Sequence, residues 1–374
     1  MPARAGVAAH HEGVSDERRA AEYDAVLLHG FGGPEGPEDV MPYLENVTRG
    51  RGIPRERLEE VSEHYLHLGG RSPINDQNRA LLAAMREDFA AHGLGHLRLY
   101  WGNRNWHPFL ADVVREMVAD GVRRVIAFPT AGFSSYSSCR QYWEDIDRVR
   151  TEVAAEVGAD AVPVVDKLRH FYNHPGYVAP YAEGIVAALN ELPEPRRSAA
   201  RIVFTAHSIP TRMNETSGIG QDPAGGLYAA EMRETARLVA EQVAGPWEWD
   251  LVWQSRSGPP SQPWLEPDIL DHLDDLHGQG VTEVVLSPIG FVSDHVEVVW
   301  DLDTEAAERA AELGMGFSRA ASAGTHPAFV AMIRQLVQER LDPTVPRRSL
   351  GERGVAPDVC AADCCPRLRR PGSE

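Results

Sequence analysis

Cysteine is scarce in this chain: 374 residues carry only four. So few cannot staple a cytosolic-type chain of this length, which excludes a disulfide framework. Long apolar runs are missing as well. No stretch approaches the roughly 18 uncharged apolar residues that a membrane-spanning helix needs. Basic residues are outnumbered, 37 Lys and Arg against 55 Asp and Glu, for a net charge of −18. That excludes non-specific nucleic-acid binding as the main task, because phosphate contacts need clustered cations. It suits solubility and, more weakly, attraction of a cation. Neither G-x-G-x-x-G nor a Walker A sequence occurs. The glycines of "HGFGGPEG" follow a strand, but Pro34 and Glu35 stand where helix amides would cradle a phosphate. Dinucleotide binding is set aside on that ground. The first 22 residues are rich in Ala, Glu, Arg and His and lack the apolar core of a secretory leader. They are expected to be a disordered extension (1–22) of a cytoplasmic protein.

The chain is 43% hydrophobic, enough for substantial cores and about two domains. Short β-rich runs recur: "YDAVLLHGFGG", "LRLYWGNR", "VRRVIAFPTAGF", "AVPVVDKL", "ARIVFTAHSIP", "WDLVWQSRSG" and "VTEVVLSPIGF". Amphipathic stretches such as "PFLADVVREMVADG" and "HPAFVAMIRQLVQERL" separate them. Continuous apolar runs alternating with helices mean parallel sheets covered on both faces. A faint repeat links 121–135, "GVRRVIAFPTAGFSS", to 280–294, "GVTEVVLSPIGFVSD". "VLLHGFGGP" and "VFTAHSIP" open the two halves in matching places. The expected fold is α/β: two similar Rossmann-like, doubly wound parallel-sheet domains, 23–165 and 166–341, with a cleft between them. The last helix is expected to pack back across the boundary. "DPTVPRRSLGERGVAP" reads as an irregular linker into a C-terminal extension, 342–374.

Three of the four cysteines, Cys360, Cys364 and Cys365, crowd into that extension, and Cys139 lies far upstream. Three thiolates from a tail and one from the body make a four-sulfur site of the kind zinc or an iron–sulfur cluster requires. The C-x3-C-C spacing is not the zinc-ribbon pair and leans toward iron and sulfur. A tail of reactive thiols stays open beside it.

In doubly wound sheets, ligands bind beyond the carboxyl ends of the strands. Here those ends carry "HGFGGP", "GNRNWHPF", "PTAGFSSYSSCRQY", "AHSIP", "QSRSGPPSQPW" and "GFVSDHVEVVWD". Aromatics, Arg, Ser and a few His and acids suit a large, flat, apolar ligand with anionic edges.

"GGRSPIN", "GNRNWHPF", "FTAHSIP", "WQSRSGPPSQPWLEPDI" and "SPIGFVSDHVEVVWDLDTEA" resemble, in order and spacing over about residues 24–340, the ferrochelatase family. Those enzymes insert ferrous iron into a porphyrin. The resemblance implies two Rossmann-like domains flanking a porphyrin cleft, with porphyrin and Fe(II) as substrates and other haem-pathway enzymes as neighbours. The nearest likeness is to actinobacterial members that act on coproporphyrin III and carry a [2Fe–2S] cluster. Protoporphyrin IX is the alternative substrate. A cobalt or nickel chelatase of a precorrin-like ring is a more distant reading, and a haem carrier or iron–sulfur sensor is the non-enzymatic one.

By that resemblance His207 in "TAHSIP" is the catalytic histidine, accepting pyrrole protons, binding incoming iron, or both. Glu297 in "SDHVEVVWD" is the acid that faces it. The bland reading of His207 is a strand-end histidine satisfied by backbone. Glu297, Asp301 and Glu305 recur every four residues and would line one helical face, either as a solvated stripe or as a track for cation or proton. Asp294 and His295 stand beside it as supporting partners. Ser72 and Tyr142 match positions that hold ring substituents. Arg49 and Arg51 in "TRGRG" would pair with propionates in a bidentate fork, or simply form a surface turn. Trp253 and Trp264 would lie against the ring or belong to the core. Phe31 replaces a tyrosine with which many bacterial relatives contact the metal from the far face. It has no oxygen to offer. Cys139, Cys360, Cys364 and Cys365 match the one-plus-three ligand set of the family's [2Fe–2S] cluster, which would fold the tail against the first domain.

Overall fold

The computed structural model describes residues 22–50, 52–259, 261–361 and 363–368. Most of the expected N-terminal extension, and Arg51, lie outside them. Eight strands form among the described residues: β1 (Ala25–Gly30), β2 (Arg98–Asn103), β3 (Arg124–Pro129), β4 (Val164–Lys167), β5 (Ala200–His207), β6 (Trp249–Gln254), β7 (Glu283–Ser287) and β8 (Gly316–Arg319).

Burial explains their order. AVLLHG of β1 is buried at every residue, and so is the middle of β5, IVFTA in sequence. Runs this apolar need neighbours on both edges and helices on both faces. They take the inner places of two four-stranded sheets, ordered β2-β1-β3-β4 and β6-β5-β7-β8. Every pairing is parallel. The two sheets share one topology, and the repeated segments fall on the same strand of each, β3 and β7. The fold is therefore the two-sheet α/β architecture expected. β8, the four-residue GFSR, is the strand the apolar runs did not announce.

One core joins the two sheets. Val26, Leu28 and Phe128 of the first sheet and Phe204 and Val285 of the second belong to a single buried cluster with Phe171, Tyr177 and Phe329. Full burial of each such side chain stabilises by about 1.5–3 kcal/mol. Helix Ile74–Ala91 covers β1 and β2, and helix Pro175–Glu191 covers β7 and β8. Helix Pro327–Leu341 touches both of these helices, and Arg334 ties it to Asp88 at 2.7 Å. The last helix therefore contacts helices that cover both sheets.

Beyond it, residues 342–368 form neither helix nor strand among those described. They are held from the segment after β4. Asn173 Nδ2 donates to the carbonyls of Leu350 (3.2 Å) and Gly354 (2.7 Å). Arg169 pairs with Glu339 at 2.7 Å and donates to the Arg348 carbonyl. No described helix is long and apolar enough to cross a membrane.

Candidate active site

In a sheet ordered 2-1-3-4 the crossovers leave the central strand in opposite directions, and the crevice opens between its end and that of the third strand. In the second sheet this is the gap between β5 and β7. His207 is the last residue of β5. Glu297 follows β7, in the short helical turn Val296–Val298. Topology alone thus brings the two together.

His207 Nε2 lies 3.6 Å from Glu297 Oε2. The other ring nitrogen, Nδ1, is 2.5 Å from the Ser208 carbonyl. That carbonyl accepts only, so Nδ1 carries the hydrogen, and Nε2 is the nitrogen that gains or gives up a proton, donating toward the carboxylate when protonated. Burial works against the imidazolium, but the Glu297 carboxylate, the Ser208 carbonyl and Asp301 outweigh it and raise the His207 pKa above its ordinary value. About a third of the His207 side chain and nearly half of that of Glu297 stay exposed, so a ligand has access to both. His295 is lowered by burial and directly precedes the turn that carries Glu297.

The acidic residues continue from Glu297. Residues 299–306 form a π-helix rather than the expected α-helix. Its wider turn, i→i+5, suits residues spaced by four or five better than 3.6 does. Asp301 accepts from the Ser255 hydroxyl and from Gln254 Nε2 at 3.2 Å. Ser255 sits at φ 61°, a left-handed conformation costly for a residue with a Cβ and concentrated at functional sites. Burial, opposed by Ser255 and reinforced by Glu297 and Glu305, lifts the Asp301 carboxyl to about 7. Asp268 is raised too, by burial first and then by Asp271 and Glu305. Asp301 is therefore a carboxyl able to carry a proton near neutral pH, on the π-helix that follows Glu297.

The opposite wall comes from two helices the sequence reading left unassigned, Pro37–Val47 and Arg55–His67. Tyr43 and Tyr65 pack with rings 5.9 Å apart. Burial raises both phenols, and the Glu297 carboxylate raises them further, so they stay protonated and apolar-facing near that acid. Phe31 packs against this group, which also contains Val296. Its ring and that of Tyr142 flank the Arg104 guanidinium at 5.7 and 4.6 Å. Arg104 is itself bound to Asp145 at 2.5 Å.

Ser72 and Tyr142, expected to hold the ring, are both buried. Tyr142 is buried, edge-on to His29 at 4.9 Å. His29 is kept neutral by burial and by Arg104, down to about 3. Ser72 is buried under the first loop, where a Cβ on Gly33 would meet it at 2.7 Å. Arg49 is exposed on the turn after helix Pro37–Val47. Trp253 is core, stacked on Tyr228 at 5.8 Å, while Trp264 is half-buried. Asp294 is engaged with Arg319 at 3.1 Å and, through its amide, with Gln77 across the cleft.

The four cysteines come together on the far side of the first-sheet loop. Cys139 lies in the π-turn Tyr136–Arg140, just before Tyr142. Cys364 and Cys365 sulfurs are 3.8 Å apart. The Cys360 S–H holds the Cys139 thiol well below its ordinary value. Cys360 and Cys365 do the same for Cys364 and are themselves pushed up by those neighbours. Besides the turn that carries Cys139, the loop between β5 and β6 receives the tail: the Gly218 amide donates to Cys365 at 3.2 Å, and Gln221 Nε2 donates to Cys360 (3.3 Å) and Cys364 (3.6 Å). Among the described residues no three His, Cys, Asp or Glu converge on one ion-sized point.

The family model described as Ferrochelatase matches residues 23–341. The chain belongs to the ferrochelatase family. It is similar to the coproporphyrin III ferrochelatase of Streptomyces griseus, 53% identical over 362 residues covering 94% of this chain and 96% of that one. It is similar also to that of Mycolicibacterium smegmatis, 50% identical over 92% of this chain and 98% of that one. A ferrochelatase of Rhodopirellula baltica is 50% identical over 92% and 93%. The chain is thus an enzyme of a family that inserts metal into porphyrin.

Proposed function

We propose that the protein inserts ferrous iron into coproporphyrin III, with His207 and Glu297 as the catalytic pair. The observation that carries this reading is the approach of His207 Nε2 to the Glu297 carboxylate at 3.6 Å, with Nδ1 fixed by a carbonyl. Two pyrrole N–H protons must leave as Fe(II) enters, so the site needs a base with somewhere to send them. His207 Nε2 takes a proton from the ring centre. Glu297 stabilises the imidazolium, and the raised carboxyl of Asp301 provides the next stop toward solvent. Phe31, partly buried on a cluster built around Tyr43 and Tyr65, gives the flat ligand an apolar face backed by those rings. Phe31 leaves that face without an oxygen ligand. Coproporphyrin III is favoured because the Streptomyces and Mycolicibacterium relatives carry that name at half identity or more.

The cysteines fit a [2Fe–2S] cluster by their donor chemistry. Four sulfurs gather, thiolate character is already favoured at Cys139 and Cys364, and N–H groups of Gly218 and Gln221 point at the others. Bound there, such a cluster would tie the tail to both halves of the chain. The place of action we assign is the cytoplasm.

Iron-dependent loss of free-porphyrin fluorescence tests the assignment. Coproporphyrin III should show the higher kcat/KM. A higher value for protoporphyrin IX would overturn the substrate, and no iron-dependent loss with either would overturn the activity.

A further inference from the structure

The chain contains a single lysine, Lys167, against 36 arginines. It is the last residue of β4 and is buried, 5% exposed. An ammonium has three donors and is among the costliest groups to bury without a counter-charge. Yet its one hydrogen bond among the described residues is a long one, 3.4 Å, to the Leu168 carbonyl. The nearby acids are engaged elsewhere. Asp166, on the other face of the strand, pairs with Arg124 and Arg340. Glu231 is bound to the amide and hydroxyl of Ser134.

The position of Lys167 shows what it faces. Val165 and Lys167 alternate onto one face of β4, and Val165 packs there with Ile146, Val149 and Val153 of helix Gln141–Val157. The turn that precedes this helix carries Cys139. His170, three residues after Lys167, reaches the same loop through Ser134 at 3.1 Å. After the Cys360 contact and burial, the Cys139 thiol is acted on by the charges of Lys167 and His170, with the Glu231 carboxylate opposing them.

We propose that Lys167 is the built-in counter-charge of the four-cysteine site, an ammonium held in the interior to balance the negative charge that four metal-bound thiolates bring there. The proposal rests on the iron–sulfur reading of those cysteines. It accounts for a buried cation without a carboxylate partner: the partner is the site itself. A [2Fe–2S] centre on four thiolates is anionic, and one-electron reduction adds a further negative charge. A fixed neighbouring cation therefore favours the reduced form and raises the potential.

The test uses the full-length, tag-free protein, first assayed for iron and acid-labile sulfide. If the wild type contains neither, the iron–sulfur reading fails, whatever Lys167 does. If it contains both, the midpoint potential is measured by mediated dithionite titration followed by EPR and visible absorption. Lys167→Met should lower it by about 59 mV, a tenfold shift in a one-electron equilibrium. Lys167→Arg should restore most of that shift. A midpoint unchanged in Lys167→Met overturns the proposal. A second measurement needs no variant. With one lysine in the chain, 13Cε-lysine labelling gives one resonance. It should broaden or shift when the cluster is reduced and sharpen when the cluster is stripped. An identical resonance in all three states overturns the proposal even if Lys167→Met does not fold.

Discussion

His207 Nε2 and Glu297 Oε2 face each other at 3.6 Å, one at the end of β5 and the other just past β7, where the crossover pattern opens a crevice. The pair is unequal in a useful way. His207 is fixed by backbone, whereas Glu297 is half exposed. His207→Ala should lower the iron-insertion rate at least 10²–10⁴-fold, the usual worth of a positioned base. Coproporphyrin affinity, read by fluorescence quenching, should change little, because the base acts at the ring centre. Wild-type turnover in this variant would sink the assignment.

The same pair sets a pH dependence. His207 must be neutral to accept a proton, and Glu297 raises its pKa. The acid limb of kcat/KM should therefore rise as pH passes upward through that raised value. Glu297→Gln removes the carboxylate and leaves burial, which lowers the pKa. The variant should be slower at every pH, with its acid limb moved to lower pH. A limb that stays in place would show that another group controls it.

Asp301 gives a stability signature of opposite origin. Its folded-state pKa is raised from the ordinary 3.8 to about 7, mainly by burial. The folded protein then holds a proton that the unfolded chain has released. Stability contributed by this group falls as pH rises from about 4 to about 7, and stays lower above that. Asp301→Asn should gain in melting temperature relative to wild type across that window, with the gap level at higher pH. A gap independent of pH would place the charged form in solvent.

Much of this arrangement was legible because the chemistry is written at strand ends. Seven of the strands follow apolar runs of Val, Ile and Leu, and the 121–135 and 280–294 repeat falls on β3 and β7. β8 was not legible, since GFSR is short and half-buried. Tyr43 and Tyr65 were missed because they sit on helices whose apolar residues read as ordinary packing. Their approach to Glu297 depends on tertiary structure. The π-helix was missed for a related reason: four-residue spacing of Glu297, Asp301 and Glu305 fits an α-helix equally well. The burial of Ser72 and Tyr142, and the engagement of Arg104 with Asp145, come from packing that no local pattern encodes.

The buried pair Arg169–Glu339, with side chains 1% and 5% exposed, anchors the segment after β4 to the last helix and, through the Arg348 carbonyl, to the tail. Removing one member leaves a buried charge uncompensated. Arg169→Met should cost about 3–5 kcal/mol in denaturant unfolding. Asn173→Ala removes two hydrogen bonds to the tail and should cost about 1–3 kcal/mol. It should also make the chain near Leu350 more open to limited proteolysis. An unchanged cleavage pattern would show that the tail is held by other contacts.

Cysteine substitution tests the tail at its far end. Purified protein should be reddish brown, with about two irons and two sulfides per chain, the content of a [2Fe–2S] centre. Serine at any of Cys139, Cys360, Cys364 or Cys365 should bleach it, because each thiolate fills one of four positions. Cluster binding closes a long loop between Cys139 and the tail and so restricts the unfolded chain, as a long-range disulfide does. Melting temperature should fall on bleaching. Cys139→Ser should act most strongly on turnover, because its π-turn leads directly into the helix that carries Tyr142, packed against His29 and Arg104. Loss at Cys364 should reach the cleft only through the Gly218–Gln221 loop. A colourless wild type holding one zinc would contradict the cluster. A bleached Cys364→Ser variant with full stability and turnover would show instead that the cluster is dispensable to both fold and site.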